Sequence, residues 1–334
     1  MELADGWFMA IALLWTGYFV LEGFDFGVGM LLPVLARDET ERRVMINTIG
    51  PVWDGNEVWV ITAAGATFAA FPEWYATLFS TMYLPLLLIL VALILRGVAF
   101  EYRGTRDSDR WRANWDTAIT VGSLLPAFLW GMAFGNIVRG VRLDERHEYV
   151  GTFWDLLNPY ALFGGVTMLA VFVMHGAIFL GLKTRGDIRV RANLLAGRVG
   201  IAATAAALAF LAWTQFMGGS AATVILAVAA AAAMIAALGA IYRRREGWAF
   251  SFSAAAIAAT IITLFAVLYP NVMPSTLTPL GTLTVDNAAA TPKTLGIMTW
   301  VAVIFLPLVL IYQGWTYWVF RRRISVDDIP SGSH

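Results

Sequence analysis

Two stretches of the 334-residue sequence set acids among apolar residues. GPVWDGNEVW, residues 50–59, carries Asp54 and Glu57, and LEGFDFGVGM, residues 21–30, carries Glu22 and Asp25. Each pair is spaced three apart, which puts both carboxyls on one face of a helix. Such acids do one of two kinds of chemistry: they take up and pass on protons along a polar path, or they lock helices together through a partner charge or hydrogen bond. For Asp54 and Glu57 a plainer account also stands. Asp54 lies only about 8 Å beyond a helix start near Ile49, where acids complement the helix dipole in the headgroup zone. Pro51 suits the first turn of that helix. Asp25 is set deeper, roughly 15 Å of helix from the nearest polar residues on its inner side, and no headgroup account reaches it.

One cation accompanies these acids. Arg96 in LRGVAFEYR either snorkels to the interface or serves as the buried counter-charge that keeps Asp25 or Asp54 ionised; Glu101 sits in the same stretch. Asp116, in NWDTAI, reads as an acid at a helix N-terminus. Of the three histidines, His147 falls in a loop, His334 is the last residue, and only His175 in VFVMHGAIF lies within an apolar run. One such histidine cannot supply a bis-histidine haem site, and it reads as a hydrogen-bonded core residue. The chain has no cysteine, which excludes disulfides, thiolate metal sites and thioether-linked haem. GAIFLGLKT, residues 176–184, imitates a phosphate loop, but Leu182 separates Gly181 from Lys183 and no strand precedes it.

The elements that position these residues are membrane spans. Apolar residues make up 59% of the chain and charged ones 14%, against about 45–50% and about 25% in soluble domains. Nine runs approach the roughly 20 residues needed to cross hydrocarbon: 7–35, 49–71, 76–99, 115–137, 156–182, 198–217, 220–242, 247–269 and 294–319. The acid-bearing start MELADGWF is read as an uncleaved first helix rather than a signal peptide. Eighteen of the 23 Lys and Arg residues fall in loops on one side, four on the other, and Arg96 inside a span. The basic side is therefore expected to be cytoplasmic, with the N-terminus outside and the C-terminus inside. The zero net charge, segregated in this way, points to no nucleic-acid partner. Segment 270–293, rich in Pro and Thr, is expected to form an irregular cap over the outer helix ends.

The blocks GFDFGVGM, ETERRVMINTIGPVWDGNEVWVITAAGATFAAFP, RGVAFEYR, RWRANWDTAI, AFGNIVRGV, LLNPYALFGG and VMPSTLTPLGTLTVDNA, in this order, resemble subunit II of the cytochrome bd quinol oxidases. The resemblance runs from about residue 20 to the last apolar helix. It implies an all-α polytopic fold of nine transmembrane helices in a bacterial cell membrane: one four-helix bundle over 1–140, a second over 150–270, and a cap, ninth helix and tail over 271–334. It implies a heterodimer with a subunit I that holds two haems b and one haem d and oxidises quinol or menaquinol while oxygen is reduced to water. A small single-helix subunit, membrane lipids and a bound lipid or quinone are further partners it allows; the chain itself is expected to hold no haem. Protons are taken from the cytoplasm and released outside, which separates charge without a pump.

Residue by residue, Asp54 resembles the family carboxylate on the proton path along the subunit interface, and Trp59 the aromatic residue at the mouth of the oxygen route. Asp25 and Arg96 match other polar positions of the membrane interior, as relay or as structure. Glu57 stands where the family also accepts an amide, which favours a structural or redundant role. The chain departs from the family in the very short link between the sixth and seventh spans, and His175 matches no functional position. Two competing classes remain at this stage: an ion-coupled secondary transporter, suited to deep acids and helix-breaking glycines, and an assembly subunit whose acids only pair with charges on a partner.

Overall fold

A computed structural model describes residues 2–329. Its frame is eleven α-helices: α1 (Leu3–Leu35), α2 (Glu39–Ile49), α3 (Trp53–Ala70), α4 (Pro72–Thr81), α5 (Tyr83–Tyr102), α6 (Asp109–Arg139), α7 (Pro159–Lys183), α8 (Gly186–Gly218), α9 (Ala221–Tyr242), α10 (Glu246–Leu268) and α11 (Pro292–Val319). Local sequence sets many of their starts. Asp38 caps α2 by accepting from the Glu41 amide at 2.9 Å. Asn158 and Thr291 cap α7 and α11, each followed by a proline in the first helical position.

Eight of these helices are long and apolar enough to cross a membrane. The helix at the second expected span, α3, falls short of that measure because it opens on the polar run WDGNE. Three boundaries differ from the sequence reading. The helix of the segment 49–71 starts only at Trp53, and Ile49 ends the separate amphipathic α2, so Pro51 sits in the turn between α2 and α3 rather than in a first helical turn. The third expected span, 76–99, is interrupted at Met82 between α4 and α5. The sixth begins earlier than expected, because Gly186 to Arg198 continue the helix in polar sequence that a hydropathy count leaves out.

α1 lies at the centre, packed against α3, α6, α7 and α10. Its approach to α7 depends on two glycines: a Cβ on Gly27 would come within 2.7 Å of the Gly176 Cα. No larger residue fits there without moving a helix backbone. An aromatic layer of Trp15, Phe19, Trp130 and Phe134 fills the space between α1 and α6, with ring centroids 4.8–6.3 Å apart. α11 stands at the edge against α1 and α3, and most of its surface is exposed and apolar, including Trp300, Phe305 and Ile311.

The expected cap over 270–293 is partly regular. Asn271–Met273 pairs antiparallel with Leu283–Thr284, and the segment clips onto the loop after α6 through Val141 N–H to the Pro274 carbonyl at 3.0 Å and Thr276 N–H to the Val141 carbonyl at 2.8 Å. The bonds satisfy backbone that would otherwise lie unpaired above the helix ends. His334 lies outside the described residues.

Candidate functional site

Four helices bring polar side chains to one buried place. Glu22 and Asp25 enter from α1, Asn56 and Glu57 from α3, Arg96 from α5, and Gln313 and Tyr317 from α11. Glu22, Asp25, Asn56 and Arg96 each have 0% of their surface exposed. The periodicity of an α-helix explains the convergence, because residues three or four apart share a face: Glu22 with Asp25, Asn56 with Trp59, Gln313 with Tyr317.

Arg96 forms an ion pair with Glu22 and stands 3.8 Å from Glu57 Oε1. Its guanidinium also lies 4.8 Å from the centroid of the Phe26 ring and 5.5 Å from that of Phe100, so aromatic faces take part of the place of water. Arg96 is thus a buried counter-charge rather than a snorkelling one. Its partner, however, is Glu22, not Asp25 or Asp54. Asp25 is held instead by Asn56, whose Nδ2 donates to Asp25 Oδ2 at 2.6 Å. The Asn56 Oδ1 in turn accepts from Tyr317 OH at 2.7 Å and Gln313 Nε2 at 3.2 Å. The chain ends at Trp59, whose indole Nε1 donates to Gln313 Oε1 at 2.8 Å.

Several buried atoms in this cluster have no hydrogen-bond partner in the protein: Asp25 Oδ1, Glu22 Oε2, Glu57 Oε1, Tyr18 OH, and the Nε and Nη2 of Arg96. Buried polar atoms of this kind are where proteins hold internal water or exchange protons. With three carboxyls around one guanidinium, each proton gained or lost changes the charge of the cluster. The arrangement can store and pass protons. It has no paired nucleophile and base, and among the described residues no group of three or more His, Cys, Asp or Glu could hold a metal ion.

Asp54 is not inside the cluster. It is exposed on the first turn of α3, and its Oδ1 accepts from the Gly55 amide at 2.7 Å. It lies three residues before Glu57, on the same helical face and at the rim of the buried group. Trp59 is half-buried with its ring against Gly17 of α1. Glu101 is exposed. In the sequence Asn56 stood out only as a polar neighbour of the two acids, with Trp53 and Trp59, and not as a partner of Asp25; Gln313 and Tyr317 carried no signal at all.

Asp116 needs a correction. α6 begins at Asp109, so Asp116 is about two turns inside the helix. It accepts from Arg103 Nε at 2.5 Å and lies 3.6 Å from Arg42, while Arg103 also makes a forked pair with Glu39 at 2.7 and 2.8 Å. It is part of an ion-pair network joining α2, α5 and α6. Burial works against the charged form of Glu39, but the Arg103 bonds outweigh it and hold this carboxyl below its ordinary value of 4.5.

His175 is fully buried between α1, α7 and α10. Its Nδ1 meets Ser253 Oγ at 2.7 Å, its Nε2 meets the Val20 carbonyl at 3.2 Å, and its ring stacks on Phe250 with centroids 4.8 Å apart. A carbonyl only accepts, so Nε2 carries the proton and Nδ1 accepts from the serine. Both nitrogens are engaged, and the residue does not fit a haem ligand. The phosphate-loop imitation lies on α7, where Lys183 Nζ bonds the carbonyls of Phe320 and Arg322.

Fold and site together define a polytopic helical membrane protein with a charge cluster buried between α1, α3, α5 and α11. The sequence matches the family described as cytochrome bd terminal oxidase subunit II over residues 3–320. It is 42% identical to the cytochrome bd ubiquinol oxidase subunit 2 of Bacillus subtilis, covering 97% of each chain. It is 37% identical to the cytochrome bd-I ubiquinol oxidase subunit 2 of Escherichia coli K12, covering 98% of this chain and 97% of that one. A chain in a structure of the bd oxidase from Geobacillus thermodenitrificans shares the fold with a TM-score of 0.80 at 16% identity, over 96% of this chain and 99% of that one. This chain belongs to the cytochrome bd terminal oxidase subunit II family, and the transporter reading is left without support.

Proposed function

We propose that this chain is the haem-free partner of a haem-bearing subunit I in a cytochrome bd-type quinol oxidase, and that its own contribution is proton delivery. The names of its relatives supply the quinol. Two haems b and one haem d, with the quinol site, belong to subunit I on this reading, and His175, engaged at both nitrogens, supports assigning them there. α3 counts as a ninth span despite its polar start, in two four-helix bundles with α11 beside them. The N-terminus faces outside and the basic loops face the cytoplasm. The exposed apolar face of α11 suits lipid, a bound quinone or a small single-helix subunit.

The observation that carries the reading is the step from an exposed acid to buried ones across two helices, Asp54 and Glu57 on α3 and Glu22 and Asp25 on α1. Asp54 lies at the rim, Glu57 one turn on, and Asp25, Glu22 and Arg96 inside. A proton taken from the cytoplasmic side at Asp54 passes by way of the open oxygen of Glu57 to Asp25 or Glu22, with Arg96 stabilising whichever carboxylate is left charged. Trp59 shares a face of α3 with Asn56 and serves the oxygen route.

Asp54→Asn tests this in the purified complex. Haem bands in the reduced-minus-oxidised spectrum are expected to stay, while quinol-driven oxygen consumption falls by at least tenfold. Unchanged turnover with intact spectra would assign Asp54 a purely electrostatic part at the helix start.

A further inference from the structure

The hydrogen-bond chain from Trp59 to Asp25 has a direction. An amide can present either its oxygen or its nitrogen, and a tyrosine hydroxyl can donate or accept, so most of the chain could run either way. The indole Nε1–H of Trp59 can only donate. It therefore requires the Gln313 oxygen, at 2.8 Å. That turns the Gln313 nitrogen towards Asn56, at 3.2 Å, and so requires the Asn56 oxygen there. The Asn56 nitrogen must then face Asp25 Oδ2, at 2.6 Å. Tyr317, donating to the same Asn56 oxygen at 2.7 Å, agrees with this polarity but cannot impose it.

We infer that Trp59, acting through Gln313 and Asn56, is a positioning residue for Asp25: it holds a donor against Oδ2 and leaves Oδ1 as the oxygen that exchanges the proton. Oδ1 is the oxygen of Asp25 without a partner, and it lies in a fully buried side chain. α11 thereby completes the acid site, although it contributes no charge to it. The groups acting on Asp25 come from four helices: Glu22 on its own helix, Asp54 and Glu57 on α3, Arg96 on α5 and Tyr317 on α11. None of these is altered when the chain is cut at Trp59 or Gln313, so a change in Asp25 reports on the chain itself. The role is separate from the oxygen route, which needs the ring and not its N–H. The inference rests on Asp25 as a proton carrier.

The test uses the purified complex and two readouts. The carboxyl band lost in Asp25→Asn is titrated by infrared difference spectroscopy in Trp59→Phe, in Gln313→Met and in the double variant. Each single cut frees Asn56 to turn and accept a proton from Asp25, so the titration midpoint is expected to move to higher pH by about half a unit to one unit, the size of one hydrogen bond. The double variant should move no further than either single one, since both break the same chain. A midpoint that stays in place in both single variants overturns the inference, as does a full second shift in the double. Turnover of Asp25→Asn is measured separately: retained turnover removes Asp25 from the proton path and leaves the infrared result to judge the positioning role alone. A raised KM for oxygen in Trp59→Phe, with the midpoint unmoved, would give Trp59 the oxygen route only.

Discussion

Arg96 and Glu22, both wholly buried, meet in an ion pair between α5 and α1. The pair draws two helices far apart in sequence onto one charge centre. Taking Arg96 away leaves the buried carboxyls of Glu22, Asp25 and Glu57 without their counter-charge. Arg96→Leu is expected to destabilise the chain by about 3–5 kcal/mol, seen as a lower unfolding temperature and a reduced yield of assembled complex. Glu22→Gln with Arg96→Leu should cost less than the two single effects added together, because the double removes both charges. Additive losses would show that the two residues do not act as a pair.

The Glu39–Arg103–Asp116 network makes a prediction about pH. Glu39 binds its proton less tightly in the folded chain than in the unfolded one, because Arg103 holds its carboxylate. Its stabilising effect is therefore complete above its ordinary value of 4.5 and is lost as the pH falls below that towards its lowered folded value. Unfolding temperatures of the solubilised complex, measured between pH 7 and pH 3, should fall in the acid limb, and Glu39→Gln should make that limb shallower. The residue is 40% exposed at its side chain, so the change is expected to be small and to shrink further at high salt.

His175 joins three helices through two hydrogen bonds and a ring stack. His175→Leu keeps much of the volume but leaves Ser253 without its ring partner. A loss of about 1–3 kcal/mol is expected, read as a drop in unfolding temperature. The haem bands of the complex should be unaffected. Disappearance of one band, with the complex still assembled, would show that the histidine serves a haem after all.

Much of this protein could be read from its residues alone. Spans follow from runs of apolar residues because unpaired backbone cannot cross hydrocarbon except as helix or closed barrel, and ten of the eleven helices lie largely within the nine expected runs, while α2 falls between the first run and the second and touches the second only at Ile49. The depth of Glu22 and Asp25 followed from counting residues along one helix, since rise per residue is constant. The breaks at Gly50 and Met82 did not show, because hydropathy averages over a window and a turn of two or three residues leaves it unchanged. Asp116 misled for a related reason: its helix begins earlier, in polar sequence.

Partner choice was settled only in three dimensions. Arg96 could have paired with any of several acids by charge alone, and the packing of α5 on α6, which itself packs on α1, selects Glu22. Asn56, Gln313 and Tyr317 meet across separations of 257 and 261 residues. A single amide or hydroxyl on a helix carries no sign of what faces it, because periodicity gives the face a residue occupies and not the helix it meets. The sequence determined which residues lie deep and on which side of each helix; the tertiary structure decided which of them touch, and so which oxygen of Asp25 is free.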